Sequence, residues 1–287
     1  MGGEKIVVIS DMDGCLLNKT YDYRKSIDAI KYVLENNILL ILNSSKTRYE
    51  IEYYIEKWGL HGKTIFTVEN GAATFIPKKL VDKNSLVHDM LKKYEHSIID
   101  EYIVIVNGLK TSIIEQKIID IIEETREKIL WLKDFTPQKF SELTRLPIEQ
   151  SILALKREYS YLFHPLVRGE IINKIVEEIK ARGLNVSTGS GTIYLITGNH
   201  DKGLATQRTI EIIKEIFNKN IVTIGVGDGY NDIPMLKTTD YSILLNCRKD
   251  IIQELSNKNN LTITCRNGSD EWLKMVKRTV ESIVKKQ

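Results

Sequence analysis

Short runs of consecutive apolar residues alternate along this chain with longer segments whose apolar positions recur at helical spacing. Near the start, "KIVVIS" reads as a short buried strand and "SIDAIKYVLE" as the helix after it. Strand "ILLIL", helix-like "RYEIEYYIEKW" and strand "TIFTV" follow. The last third resumes the rhythm with helix "LATQRTIEIIKEIF", strand "IVTIGVG" and short helix "DIPMLKTT"; "YSILL", "IIQEL", "LTIT" and "EWLKMVKRTVESIV" continue it. Alternation of this kind predicts the α/β class, a doubly wound parallel sheet with helices on both faces.

Residues 86–192 have a different texture. They contain an Ile-rich helical pattern, "SIIEQKIIDIIEETREKIL", a second in "EIINKIVEEIKARG", and strand-like "YIVIVNG", "LNVSTG" and "TIYLIT". Pro137, Pro147 and Pro165 punctuate the connections. The pattern predicts a smaller α+β cap domain at 86–192, inserted into a core formed by residues 1–85 and 193–287. No internal repeat or low-complexity tract interrupts either part.

Composition narrows the function classes. Of 287 residues, 42% are apolar and 28% charged, as in ordinary soluble globular proteins. The net charge of +3 is spread along helices, which argues against nucleic acid as a partner. No apolar run approaches the ~18 residues that span a bilayer, so no membrane partner is expected. The chain enters a strand within a few residues of its start, leaving no room for a signal peptide. Cys15, Cys247 and Cys265 are odd in number and far apart in sequence, matching neither a zinc ribbon nor a disulfide framework. The expected setting is a reducing cytoplasm.

Four polar stretches each follow a predicted strand: Asp11-Met12-Asp13-Gly14, Asn43-Ser44-Ser45-Lys46, Asp201-Lys202-Gly203 and Asp228-Gly229-Tyr230-Asn231-Asp232. In a parallel sheet, strand ends converge on the carboxyl edge, where open α/β sheets bind ligands. Any one stretch has a plain alternative. A lone DxDG is often a turn, a serine pair or D-K-G is mostly a helix cap, and "GDGYND" lacks the spaced acids of an EF-hand. All four together, in this order, point to one pocket. Close carboxylates repel, so a hard divalent cation is expected among them, and an incomplete oxygen cage suits Mg²⁺. A carboxylate can attack phosphorus to give an aspartyl-phosphate. A second aspartate two residues on can handle protons, while lysine and hydroxyls offset charge on the phosphoryl oxygens.

These stretches resemble the haloacid-dehalogenase superfamily phosphatases that carry a cap after the second motif, and among them the mannosyl-3-phosphoglycerate phosphatases. The shared segments are "DMDGCLL", "NSSKTRYEIEYY", "ENGAATFIP", "LPIEQSILALKREYSYLF", "GSGTIYLITGNHDKG" and "GDGYNDIPML", spread over nearly the whole chain. The resemblance implies that Asp11 is the nucleophile and Asp13 the acid/base, that Lys202 bridges phosphate and nucleophile, and that Mg²⁺ is held by Asp11, the Asp13 carbonyl and Asp228. It implies that Ser44, with the adjacent Ser45, binds the transferring phosphate, and that Asn231 and Asp232 orient Lys202 or metal-bound water. Two departures stand out. Cys15 replaces a threonine that mainly caps the turn, and Tyr161 stands where relatives often carry an acid, which bears on the sugar.

Specificity is expected in the insert. Arg157 offers a planar fork for a carboxylate, with Lys46 or Arg48 as the alternative cation. Ser187, Thr188, Gly189 and Ser190, in "STGSGT", offer small residues and backbone N–H groups to a sugar or carboxylate. Glu69-Asn70-Gly71 reads most simply as a turn, with a sugar-hydroxyl role as a secondary reading. The implied substrate is a phosphorylated glycoside, mannosyl-3-phosphoglycerate, hydrolysed to mannosylglycerate and phosphate. The alternatives are glucosyl-3-phosphoglycerate, a sucrose-phosphate-type or general sugar phosphate, and, from another class, a catalytically silent binding protein. Silence fits poorly, because every implied catalytic position is filled.

Overall fold

In the computed structural model, the described residues are 4–81, 85–167, 169–188, 192–217 and 220–285. Their apolar runs become strands β1 (Lys5–Ser10), β2 (Leu39–Asn43), β3 (Ile65–Val68), β4 (Ala73–Pro77), β5 (His96–Ile99), β6 (Tyr102–Val106) and β7 (Ile129–Trp131). Then come β8 (Ser160–Pro165), β9 (Asn185–Thr188), β10 (Tyr194–Thr197), β11 (Ile221–Gly227), β12 (Tyr241–Leu244) and β13 (Leu261–Ile263). Among the described residues they make a nine-stranded sheet, β13-β12-β11-β1-β2-β3-β4-β6-β5, and a four-stranded sheet, β7-β8-β10-β9.

The six strands from β13 to β3 are parallel neighbours, as the βα alternation requires. Their continuous apolar runs follow from burial on both faces. Val7 and Ile9 of β1, Leu39 and Ile41 of β2, and Ile210 and Ile213 of helix Lys202–Ile216 share one core cluster. The chain leaves β1 toward β2 and β3 on one side, and its later strands β11, β12 and β13 lie on the other. That reversal opens a crevice at the carboxyl ends of β1 and β11, where open sheets place their ligands.

The chain divides into two compact units: Met1–Ser45, Glu52–Asn107 and Asp201–Gln287 in one, and Lys46–Ile51 with Gly108–His200 in the other. The insert predicted over 86–192 therefore has different edges. The hairpin β5–β6 joins the larger sheet because β4 leaves a row of unpaired backbone groups that β6 satisfies, with Thr74 opposite Ile105 and Ile76 opposite Ile103. At the other end, β10 pairs antiparallel with β8 and β9, which draws residues up to 200 into the second unit.

In that second unit, Tyr161 and Phe163 face one core with Trp131, while Leu162 faces another with Phe140 and Leu195, the alternation expected of a strand covered on both faces. The single helix predicted across "SIIEQKIIDIIEETREKIL" is two, Thr111–Lys117 and Ile119–Thr125, broken at Ile118 (φ −121°, ψ 13°). Crowded β-branched isoleucines weaken a continuous helix. The break still buries Ile114, Ile118, Ile121 and Ile122 together, and Ile129–Trp131 leaves as strand β7. Among the described residues, no helix is long and apolar enough to cross a membrane.

Candidate active site

Asp11 lies one residue past β1, its N–H donating to the Val226 carbonyl at 2.9 Å and so continuing the β1–β11 pairing by one step. The chain then turns tightly. Gly14 N–H donates to Leu17 O (2.8 Å) and Leu17 N–H to Met12 O (2.7 Å). Gly14 takes φ +73°, and a Cβ there would fall 2.0 Å from Asp228 Oδ2. Only glycine lets this loop approach Asp228 so closely. Cys15, next in the loop, is fully buried, and burial followed by the charge of Asp11 pushes its thiol well up.

Lys202 opens the helix Lys202–Ile216, which Asp201 caps by accepting the Leu204 N–H at 2.7 Å. Its side chain is wholly buried, with Nζ 2.8 Å from Asp11 Oδ1 and 2.7 Å from Asp232 Oδ1. The second oxygen of Asp232 accepts the N–H groups of Asp228 (2.9 Å) and Gly229 (2.8 Å). Asp232 thus spends its acceptors on holding Lys202 and the turn that carries Asp228. Asn246 Nδ2 completes the support by donating to the Asp228 carbonyl at 2.8 Å.

Carboxylate oxygens of Asp11, Asp228 and Asp232 come within 4.8 Å of one another. Burial, only partly offset by Lys202, pushes Asp11 up to about 8, with Asp232, Asp13 and Asp228 adding to the rise. Burial and then Asp232 push Asp228 up to about 7. Burial pulls Lys202 down, yet Asp11 and Asp232 outweigh it and the ammonium is held well above its ordinary range. One ammonium does not balance this many acids. An oxygen-only donor set with surplus negative charge fits a hard divalent cation and disfavours soft metals. Because Asp232 is occupied by three donors, Asp11 and Asp228 are the acids with acceptor capacity to spare.

Ser44 is buried at the end of β2, its N–H on Thr67 O (3.1 Å) and its carbonyl accepting from Asn70 N–H (2.9 Å). Ser45 is half-buried beside it. With Asp11, Asp13, Lys202, Asp228, Asn231 and Asp232, both serines belong to the first unit. Lys46, Arg48, Arg157, Ser187 and Thr188 belong to the second. Lys46 is buried with Nζ 3.5 Å from Glu50 Oε1. Thr47 and Glu50 form a capping box, Thr47 N–H donating to Glu50 Oε2 (2.9 Å) and Glu50 N–H to Thr47 Oγ1 (3.3 Å), which starts helix Arg48–Lys57. Arg157 donates through Nε to the Ala154 carbonyl at 2.9 Å, bracing the end of helix Ile148–Ala154. Ser187 and Thr188 are exposed on β9, paired with Leu195 and Tyr194 of β10. Gly189 and Ser190 lie outside the described residues. Tyr161 is buried in the second unit's core, donating its hydroxyl to Glu115 Oε1 at 3.2 Å.

Two supports escaped the sequence reading. Asn43 Nδ2 donates to the Lys202 carbonyl and to Thr206 Oγ1, both at 3.0 Å, and so pins the first turn of the lysine's helix to β2. Glu69, Asn70 and Gly71 occupy the left-handed region in succession, at φ +50°, +61° and +98°. The Asn-Gly pair signals a turn, but not what the turn does. Asn70 Oδ1 accepts from Asn231 Nδ2 at 3.1 Å, and a Cβ on Gly71 would stand 2.1 Å from the Asp201 carbonyl.

Acids after β1 and β11, on either side of the reversal in strand order and joined through one lysine, are what a phosphoryl-transferring α/β hydrolase needs. Residues 8–269 match the haloacid dehalogenase-like hydrolases, and the chain belongs to that family. It is a phosphoric monoester hydrolase. A glucosyl-3-phosphoglycerate/mannosyl-3-phosphoglycerate phosphatase from Methanococcoides burtonii is 35% identical over 242 residues, 84% of this chain and 85% of that protein. A mannosyl-3-phosphoglycerate phosphatase from Pyrococcus furiosus is 30% identical over 241 residues, 83% and 90% of the two chains. A sucrose-phosphatase from Synechocystis, solved with sucrose and phosphate, shares the fold at a TM-score of 0.56 and 12% identity, covering 96% of this chain and 98% of that one.

Proposed function

We propose that this protein hydrolyses mannosyl-3-phosphoglycerate to mannosylglycerate and phosphate, in the cytoplasm, and accepts glucosyl-3-phosphoglycerate at the same site. The observation that carries the reading is Lys202 held between Asp11 and Asp232 beside Asp228, in a chain akin over most of its length to phosphatases named for these substrates.

Asp11 attacks phosphorus, and the bond from phosphorus to the glycerate C3 oxygen breaks. Asp13 gives its proton to that leaving oxygen. It then takes a proton from the water that attacks the aspartyl-phosphate, releasing phosphate and restoring both acids. Lys202 fixes the Asp11 carboxylate and meets charge on the phosphoryl oxygens, which Ser44 and Ser45 bind. Asp232 and Asn231 hold Lys202 and the Asp228 turn in place. Asp11, Asp228 and the Asp13 carbonyl would hold Mg²⁺, which supplies positive charge where phosphoryl oxygens gather it. For the glycerate carboxylate the candidates are Arg157, Lys46 and Arg48; for the sugar they are Ser187, Thr188, Gly189 and Ser190.

The test is phosphate release across mannosyl- and glucosyl-3-phosphoglycerate, sucrose phosphate and hexose phosphates. The glycosyl phosphoglycerates should give the highest kcat/KM. Efficient turnover of sucrose or hexose phosphates with neglect of the phosphoglycerates would overturn the substrate and leave the phosphatase chemistry standing.

A further inference from the structure

Cys247, just after β12, and Cys265, just after β13, meet at the carboxyl edge of the larger sheet. β12 and β13 run parallel with Leu244 opposite Ile263, and Thr264 N–H donates to Leu244 O at 3.0 Å, carrying the pairing to the residue before Cys265. Each cysteine is exposed at the middle of a side-chain turn. Asn246 Oδ1 accepts the Arg248 N–H at 3.0 Å around Cys247, and Thr264 Oγ1 accepts the Arg266 N–H at 3.3 Å around Cys265. The Cys247 thiol is the first cause of a raised Cys265 pKa, through a side-chain hydrogen bond, which places the two sulfurs side by side.

Both turns lead straight to the site. Asn246, one residue before Cys247, holds the Asp228 carbonyl at 2.8 Å. Gly268, three residues after Cys265, donates its N–H to the Gly14 carbonyl at 2.8 Å, in the loop that carries Asp13. The terminal strand β13 has a single strand neighbour among the described residues. A covalent tie at this point would hold together the segments that brace both acid-bearing loops.

We propose that Cys247 and Cys265 are a modification site: they form a reversible disulfide that staples β13 and its following loop to the loop after β12. The oxidant is a small-molecule disulfide. One protein thiolate attacks a sulfur of it, forming a mixed disulfide and expelling one small thiol. The second protein thiolate attacks the protein-side sulfur, closing the Cys247–Cys265 bond and expelling the other thiol. Two protein thiols are oxidised, one disulfide is reduced, and the protons leave on the two small thiols. Cys15 is buried, so it stays out of the exchange.

The experiment equilibrates the full chain with mixtures of oxidised and reduced glutathione, quenches by alkylation, and follows peptide maps and thermal melts. The expected product loses two hydrogens, yields one peptide pair joined through Cys247 and Cys265, and leaves Cys15 to be alkylated only after unfolding. Its Tm should rise by roughly 5 °C, as closing a short loop implies, and return on reduction. Cys247→Ser and Cys265→Ser should each abolish both the cross-link and the rise. Glutathione adducts on both cysteines without a cross-link, a cross-link between two chains, or a cross-link with unchanged Tm would overturn the proposal.

Discussion

Lys202 Nζ lies 2.8 Å from Asp11 Oδ1, and both side chains are buried. The same nitrogen is 2.7 Å from Asp232 Oδ1, so one ammonium links the acid after β1 to the acid beyond β11. Neither contact is local in sequence. The lysine reaches them because its helix begins at the carboxyl edge of the sheet, capped by Asp201 and pinned by Asn43.

Removing that ammonium should cost stability as well as activity. Lys202→Met leaves buried carboxylates without their cation, a loss of about 3–5 kcal/mol in unfolding free energy. Turnover should fall by about 10²–10³, the usual cost of one electrostatic partner of the transition state. Adding Asp232→Asn should recover part of the denaturant midpoint and none of the rate. A wild-type midpoint for the single variant would contradict the pairing.

Gly71→Ala tests the turn after β3. The substitution forces a Cβ into the Asp201 carbonyl and strains a φ of +98°. A loss of about 1–3 kcal/mol is expected from strain, with a larger fractional loss of kcat because the start of the lysine's helix must shift. Gly59→Ala is the matched control. Its φ is +63° with no atom near the added Cβ, so the melt should move while kcat holds.

How much of this could be read from the chain alone follows the same division. Asp11 and Asp228 were legible because each follows a strand-length apolar run, and such runs end at the sheet edge. Asn43 and Asn70 were not. Their partners lie 159 and 161 residues away, and no local pattern encodes a partner at that distance. The edges of the insert were misplaced for a related reason. "YIVIVNG" alternates like any strand, and only the open edge of β4 determines which sheet it joins.

Metal removal should silence the enzyme. Chelation should abolish turnover and Mg²⁺ restore it, while Asp228→Asn should raise the Mg²⁺ concentration needed. At a hundredfold excess over its Kd, Mg²⁺ should stabilise the wild type by about 2.7 kcal/mol. Full activity in chelator would contradict the reading of the acid cluster.

Arg157→Ala separates recognition from scaffolding. If its guanidinium takes the glycerate carboxylate, kcat/KM on a glycosyl phosphoglycerate should fall at least tenfold, since a lost charged contact costs ~2–5 kcal/mol. p-Nitrophenyl phosphate has no carboxylate, so its hydrolysis should change far less. Equal losses on both would assign Arg157 to scaffolding, where it braces the Ala154 carbonyl.

In the proposed mechanism Asp11 carries the phosphoryl group. Quenching the enzyme with borohydride during turnover of mannosyl-3-phosphoglycerate reduces an aspartyl-phosphate to homoserine, which peptide mass spectrometry locates. Homoserine is expected at position 11, present only with substrate and lost in Asp11→Asn. Trapping at another acid, or an unmodified Asp11 in an enzyme turning over at full rate when quenched, would contradict it.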